Sequence, residues 1–148
     1  MMRFLVLAAA LAAASITVAM TASVSAASPR SGDLHVKKEC SDYHGFAGQH
    51  CTITSSNIPE IKAGSHVVYA SAAGDPTAGQ LNSDLIIDGP GNNTAYGHVV
   101  LDLTTFTGVV TLSGGTGKFK HLHALVTDTP LGGPNFAWDG TYSFSPPN

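Results

Sequence analysis

Along the chain, apolar and polar residues take turns in short runs that are broken by Gly, Pro, Asn and Asp. A period of two places alternate side chains on opposite faces of an extended chain, and it predicts half-buried strands rather than helices. In the last run, Phe136, Trp138, Gly140, Tyr142 and Phe144 share one face, and Ala137, Asp139, Thr141 and Ser143 the other. Leu81, Ser83, Leu85 and Ile87 likewise oppose Asn82, Asp84, Ile86 and Asp88. Phe106, Val110 and Leu112 oppose Thr107, Val109, Thr111 and Ser113. In the run Ala95 to Leu103, Val99, Leu101 and Leu103 are expected inward with His98 and Asp102 outward, and Leu122, Ala124 and Val126 point inward in the run Leu122 to Thr127. Shorter strands are expected at Leu34–Lys38, Cys51–Ser55 and His66–Ser71, where β-branched and aromatic residues dominate.

Turn residues separate these runs at Gly74-Asp75-Pro76, Asp88 to Asn93, Gly114-Gly115 and Gly132-Gly133-Pro134. Connections this short join antiparallel neighbours, because a parallel crossover needs about a dozen residues or more. The expected fold is all-β: about eight antiparallel strands closed into a small barrel, which leaves no unpaired edge. An open two-sheet sandwich is the second arrangement. A barrel of eight strands either encloses one small ligand or is filled by its own side chains.

The first residues have a different pattern. Met1-Met2-Arg3 is a short positive start, Phe4 to Ala14 is an unbroken apolar run, and Val24-Ser25-Ala26 is a small-x-small site. Residues 1–26 are therefore expected to be a signal peptide cleaved after Ala26, with Ala27 as the alternative. A retained anchor would need about 20 uninterrupted apolar residues, and Ser and Thr interrupt this stretch early. Residues 27–33 are expected to be a flexible lead-in and 34–148 one barrel domain, with no membrane span once the signal is removed. Cys40 and Cys51, in a chain expected to leave the cytosol, are expected to form a disulfide that closes the loop Ser41 to His50.

Only 11% of the residues are charged, and the formal net charge is −3. The cations form no cluster beyond Lys37-Lys38 and Lys118/Lys120, which argues against a nucleic-acid partner. His121 and His123 share one side of a strand, the opposite side from Leu122, Ala124 and Val126, so they are expected in solvent. A metal site there would need a third convergent ligand, which His98 could in principle supply, but histidines facing solvent argue against it, so no metal and no cofactor are expected. Tyr43, His44 and Phe46 lie within the loop between the cysteines; a general acid or base at His44 is the functional reading, and aromatic capping or surface placement the plainer one. No nucleophile elbow of the form G-x-S-x-G is present. Asn92-Asn93-Thr94 has the form of a glycosylation acceptor.

The run LSGGTGKFKHLHALVTD (112–128), followed by WDGTYSF (138–144), resembles the C-terminal half of bacterial proteins with the allene oxide cyclase barrel-like domain. Its GGTGKF turn is similar to that of plant dirigent proteins, and CTITSSNIPEIKAGSHVVY (51–69) fits the exported bacterial members. The resemblance implies an eight-stranded calycin-like barrel acting on a lipophilic molecule. Plant cyclases of this kind guide ring closure of a fatty-acid epoxide, and dirigent proteins orient coupling phenoxy radicals. The cyclase pattern implies a carboxylate in the lumen; here the glutamates, Glu39 and Glu60, fall at strand ends or loops, and most aspartates alternate outward. The glycines of the GGTGKF run permit a tight excursion between strands, with Lys118 and Phe119 in a short turn and Phe119 plugging the barrel end. A phosphate-binding loop would need a helix after the glycines, and a strand follows instead.

The expected function is binding of a small hydrophobic molecule in the lumen, with the inward aromatics Phe106, Phe136, Trp138 and Tyr142 as its ligand surface. A cyclase or isomerase working without a cofactor in the same cavity is one alternative. A cell-envelope structural protein with a filled barrel is the other. The pattern leaves catalytic residues, ligand identity and oligomeric state open.

Overall fold

The computed structural model describes residues 30–145. Eight strands follow one another: β1 (Arg30–Glu39), β2 (His50–Ser56), β3 (His66–Tyr69), β4 (Gln80–Gly89), β5 (Asn93–Asp102), β6 (Gly108–Gly115), β7 (Leu122–Gly132) and β8 (Asn135–Phe144). Each pairs antiparallel with the next, and β8 pairs with β1 from Arg30↔Phe144 to Glu39↔Asn135, so the sheet closes into a barrel. The closed antiparallel eight-stranded barrel expected from the alternation is the observed fold. The inward positions of β4, Leu81, Ser83, Leu85 and Ile87, are all buried, and so are Val99 and Leu101 of β5.

Two expectations are corrected. The lead-in expected over 27–33 is strand from Arg30 onward, because Arg30 to Asp33 pair with Phe144 to Thr141 and complete the closing seam. The signal peptide expected at 1–26 lies outside the described residues. Phe106, expected within a strand, sits instead in the β5–β6 turn at φ 55, and β6 begins two residues later. The turn chemistry overrides the alternation there. The Asp102 carboxylate accepts the Thr104 and Thr105 amides at 2.6 and 3.2 Å, and the Asp102 carbonyl accepts the Phe106 amide at 2.7 Å. The same two amides hold the Asp102 carboxyl below its ordinary range. A positive φ on a bulky residue costs on the order of 1–3 kcal/mol, so the surrounding turn must hold Phe106 in place.

The antiparallel order sorts the connections to two ends. At one end lie the β2–β3, β4–β5 and β6–β7 connections, and a 3-10 turn over Gly117–Phe119 drives Phe119 into the interior, where it is fully buried with Ile58 and Ile61. Gly115 permits this approach, since a Cβ there would collide with the Thr94 carbonyl oxygen and stand 2.8 Å from the Phe119 Cβ. That end is plugged. At the other end lie residues 40–49, 70–79, 103–107 and 133–134.

The disulfide between Cys40 and Cys51 is present and ties the end of β1 to the start of β2. Closing a loop of this size stabilises by about 3 kcal/mol in the chain-entropy account. A Cys40→Ala/Cys51→Ala variant is accordingly expected to lose about that much in urea unfolding at neutral pH.

Candidate functional site

Inside the unplugged end, alternation carries two charged residues into the lumen. In β1 the inward series Leu34, Val36 continues to Lys38; in β7 Leu122, Ala124, Val126 continues to Asp128. Both are buried, at 3% and 0% exposure. They reach each other across β8, which lies between their strands and pairs Phe136 with Lys38 and Trp138 with Asp128. The Lys38 ammonium donates to Asp128 Oδ2 at 2.7 Å and to the Tyr69 hydroxyl at 2.8 Å. Its nitrogen also lies 5.0, 5.3 and 5.6 Å from the ring centres of Trp138, Phe136 and Tyr69. An ammonium has three donors, and the two polar partners use two of them.

Two charges in a dry interior persist only when they are paired and hydrogen-bonded, because each loses several kcal/mol of hydration. Burial by itself pushes the Lys38 pKa down, but attraction to Tyr69 and Asp128 and the hydrogen bonds to both outweigh it, and the balance lies above the ordinary lysine value. Burial likewise raises the Tyr69 pKa, against the opposing pull of Lys38. Both groups thus hold their protons more tightly folded than unfolded, a contribution fully present below the unfolded pKa values and lost as pH rises through the folded ones. Unfolding midpoints are therefore expected to stay flat from neutral pH to about 9 and to fall above about pH 10, measured by denaturant titration across that range.

Above this trio is a pocket of about 200 Å³. Lys38, Asp128 and Tyr69 line it on the lumen side, Leu81, Leu101 and Leu103 along the wall, and Tyr43, Phe106 and Phe136 toward solvent, with the disulfide between Cys40 and Cys51 at one side. The pocket is smaller than the roughly 300–1,000 Å³ typical of sites for drug-sized ligands. It therefore suits a small molecule or one end of a longer one. Three buried polar atoms in this region, Asp128 Oδ1, the Tyr43 hydroxyl and Trp138 Nε1, have no hydrogen-bond partner among the described residues. Each such group costs about 1–3 kcal/mol while unpaired. Three larger hollows lie elsewhere, one of them lined by Ser31, Asp33, Thr111, Ser113 and Thr141, and none is lined by the buried Lys38–Asp128 pair.

The four expected ligand residues divide. Phe106 and Phe136 stand together at the pocket, their ring centres 6.5 Å apart, with Phe106 47% exposed. Trp138 is fully buried beside the ammonium and does not line the pocket. Tyr142, on the same inner face of β8, sits toward the plugged end against Phe144 and Arg30, away from the other three. His123 is exposed on the outer wall, His98 is hydrogen-bonded to Asp84 and Asn82 on another part of it, and His44 is exposed. Among the described residues no three His, Cys, Asp or Glu side chains converge as metal ligands would.

Sequence reasoning missed Lys38, Tyr69 and Asp128. The reading that most aspartates alternate outward stopped one step short in β7, so the lumen does hold a carboxylate. The signal was present in the parity of both strands, where a cation and an anion each occupy the inward phase.

No helix among the described residues is long and apolar enough to cross a membrane. No family model matches the sequence, and neither a curated protein nor a solved structure matches the chain.

Proposed function

We propose that the protein is an exported barrel that binds a small, neutral, largely apolar molecule at its unplugged end, with the molecule's hydroxyl or carbonyl group set against the Lys38–Asp128–Tyr69 trio. One observation carries this reading: an apolar pocket ends on a buried charged cluster that retains unpaired polar atoms. The placement is how ligand sites combine apolar walls with a few orienting polar groups. Neutrality follows from charge balance. Lys38 is already matched by Asp128, and at this end Glu39, Asp42, Asp75 and Asp102 outnumber Lys37, so an anionic head group meets repulsion and finds no unpaired cation among the pocket's lining residues. Export is supported by the disulfide, which persists in oxidising compartments, together with the N-terminal charge and hydropathy pattern.

A second reading, a cyclase or isomerase of a lipophilic substrate, is favoured by Asp128, since a lumen carboxylate is what the resemblance to cyclase barrels implies. A filled barrel with a purely structural role is the competing outcome.

Native mass spectrometry of protein recovered from the medium or periplasm tests the binding reading, with Phe136→Ala as the control. The expected result is retention of a neutral lipophilic mass, or uptake of an added terpene alcohol such as geraniol, weakened about tenfold or more by Phe136→Ala. A chain that leaves the cell empty and takes up no neutral probe would support the filled barrel instead.

A further inference from the structure

We infer that the trio is a proton-transfer device that shifts the double bond of a β,γ-unsaturated ketone into conjugation, with Asp128 as the base and Tyr69 and Lys38 as donors to the carbonyl oxygen. The inference rests on the binding reading above and assigns that pocket a reaction.

The geometry supplies each part. Asp128 spends one oxygen on Lys38 and keeps Oδ1 without a partner among the described residues, on a buried side chain that lines the pocket. A carboxylate so placed lines the pocket behind Phe106 and Phe136, and a ligand that fills the pocket displaces water from it. The Tyr69 hydroxyl accepts from Lys38, and the nearest partner for its own proton is the weakly accepting Cys51 sulfur at 3.7 Å. That proton, together with the third Lys38 donor, can be given to an oxygen that becomes negative, and a dry interior strengthens both bonds. A cation that bonds the base with one donor and polarises the tyrosine with another places acid and base groups side by side in one small site.

The step balances without any cofactor. Asp128 Oδ1 takes a proton from the carbon between carbonyl and alkene, and the C–H electron pair becomes the new C=C of a dienolate. Its oxygen is held by the Tyr69 and Lys38 donors. The dienolate then takes the proton back from Asp128 at the γ carbon, the carbonyl re-forms, and all three side chains return to their starting states. Nothing is oxidised or reduced.

Cyclohex-3-en-1-one is a suitable probe, because its conjugated product is read by ultraviolet absorbance and deuterium placed on carbon 2, between carbonyl and alkene, marks the transferred position by mass spectrometry. The intact protein is expected to give saturable conversion faster than buffer, with deuterium carried from carbon 2 to the γ carbon. Asp128→Asn should lower the rate by about 100-fold or more, and Tyr69→Phe, which keeps the ion pair, by about 10- to 1,000-fold while the ketone still perturbs Trp138 emission. Binding of the ketone with no conversion above buffer overturns the inference and leaves the binding reading intact. Unchanged rates in Tyr69→Phe and Asp128→Asn overturn it as well. Failure of the protein to bind either this ketone or geraniol overturns both. Conversion rates and C2-to-γ deuterium transfer on the unmodified protein and on Tyr69→Phe decide the matter even if Asp128→Asn does not fold.

Discussion

Asp128→Asn is expected to destabilise the barrel by about 3–5 kcal/mol, because it leaves the Lys38 ammonium buried without its counter-charge. Lys38 has little contact with bulk water: its side chain is 3% exposed and its nitrogen lies beside the rings of Trp138, Phe136 and Tyr69. Single domains are stable by only about 5–15 kcal/mol, so the loss would be visible as a large drop in the urea midpoint. Lys38→Met combined with Asp128→Leu should recover most of it, since exchanging a buried ion pair for apolar groups of similar size is often neutral or favourable. The double variant also separates stability from function. If the pair serves only the fold, that variant loses nothing else; if the pair seats and activates a ligand, it is stable yet fails to bind or convert a neutral ketone. A loss under about 1 kcal/mol for Asp128→Asn would mean that water reaches the lumen and that the charges are not sealed.

Phe119→Ala is expected to cost a similar amount, about 3–5 kcal/mol, by a different route: removing a fully buried ring at the plugged end leaves a cavity that the surrounding strands can only partly fill. For a domain of this size that is a fall in thermal midpoint on the order of 15 °C. The site lies at the other end of the barrel, so affinity for a neutral ligand should stay within about twofold at temperatures where the variant is folded. Weakened binding in Phe119→Ala, with the fold intact, would show that the ligand extends through the lumen rather than stopping at the trio.

Much of the architecture was legible because strand parity is a local property. Leu81 to Ile87 and Val99 to Leu101 declare their inward phase within a few residues, and the short turn-rich links leave antiparallel neighbours as the ready connection. Phe106 misled for a reason that is equally local. Its phase matches Val110 and Leu112, but the Asp102 side chain caps the Thr104 and Thr105 amides and ends the strand before Phe106 is reached. Turn-forming hydrogen bonds of this kind compete with the ladder and leave no trace in apolar periodicity.

The site was harder to read because its parts come from separate strands. Lys38 and Asp128 lie 90 residues apart and meet only after β8 closes against β1. Each alone looks like a charge at a strand end, which is ordinarily solvated. Taken together, their inward parity predicts a buried pair of opposite sign, but the pairing requires knowledge of which strands become neighbours on closure. Axial position is also a matter of register. Trp138 and Tyr142 share a face, yet Trp138 faces Asp128 and Tyr142 faces Gly32, which puts them at different depths of the barrel.

The single tryptophan offers the most direct measurement, because the Trp138 ring centre lies 5.0 Å from the Lys38 nitrogen and no second indole adds to its emission. Titration with geraniol and, separately, with the matched carboxylate geranic acid at neutral pH reads the head-group preference of the pocket. A saturable change with the alcohol, at least about tenfold weaker for the carboxylate, is the expected result. Tighter binding of the carboxylate, or no saturable change with either, would contradict a neutral ligand seated on the Lys38–Asp128–Tyr69 trio.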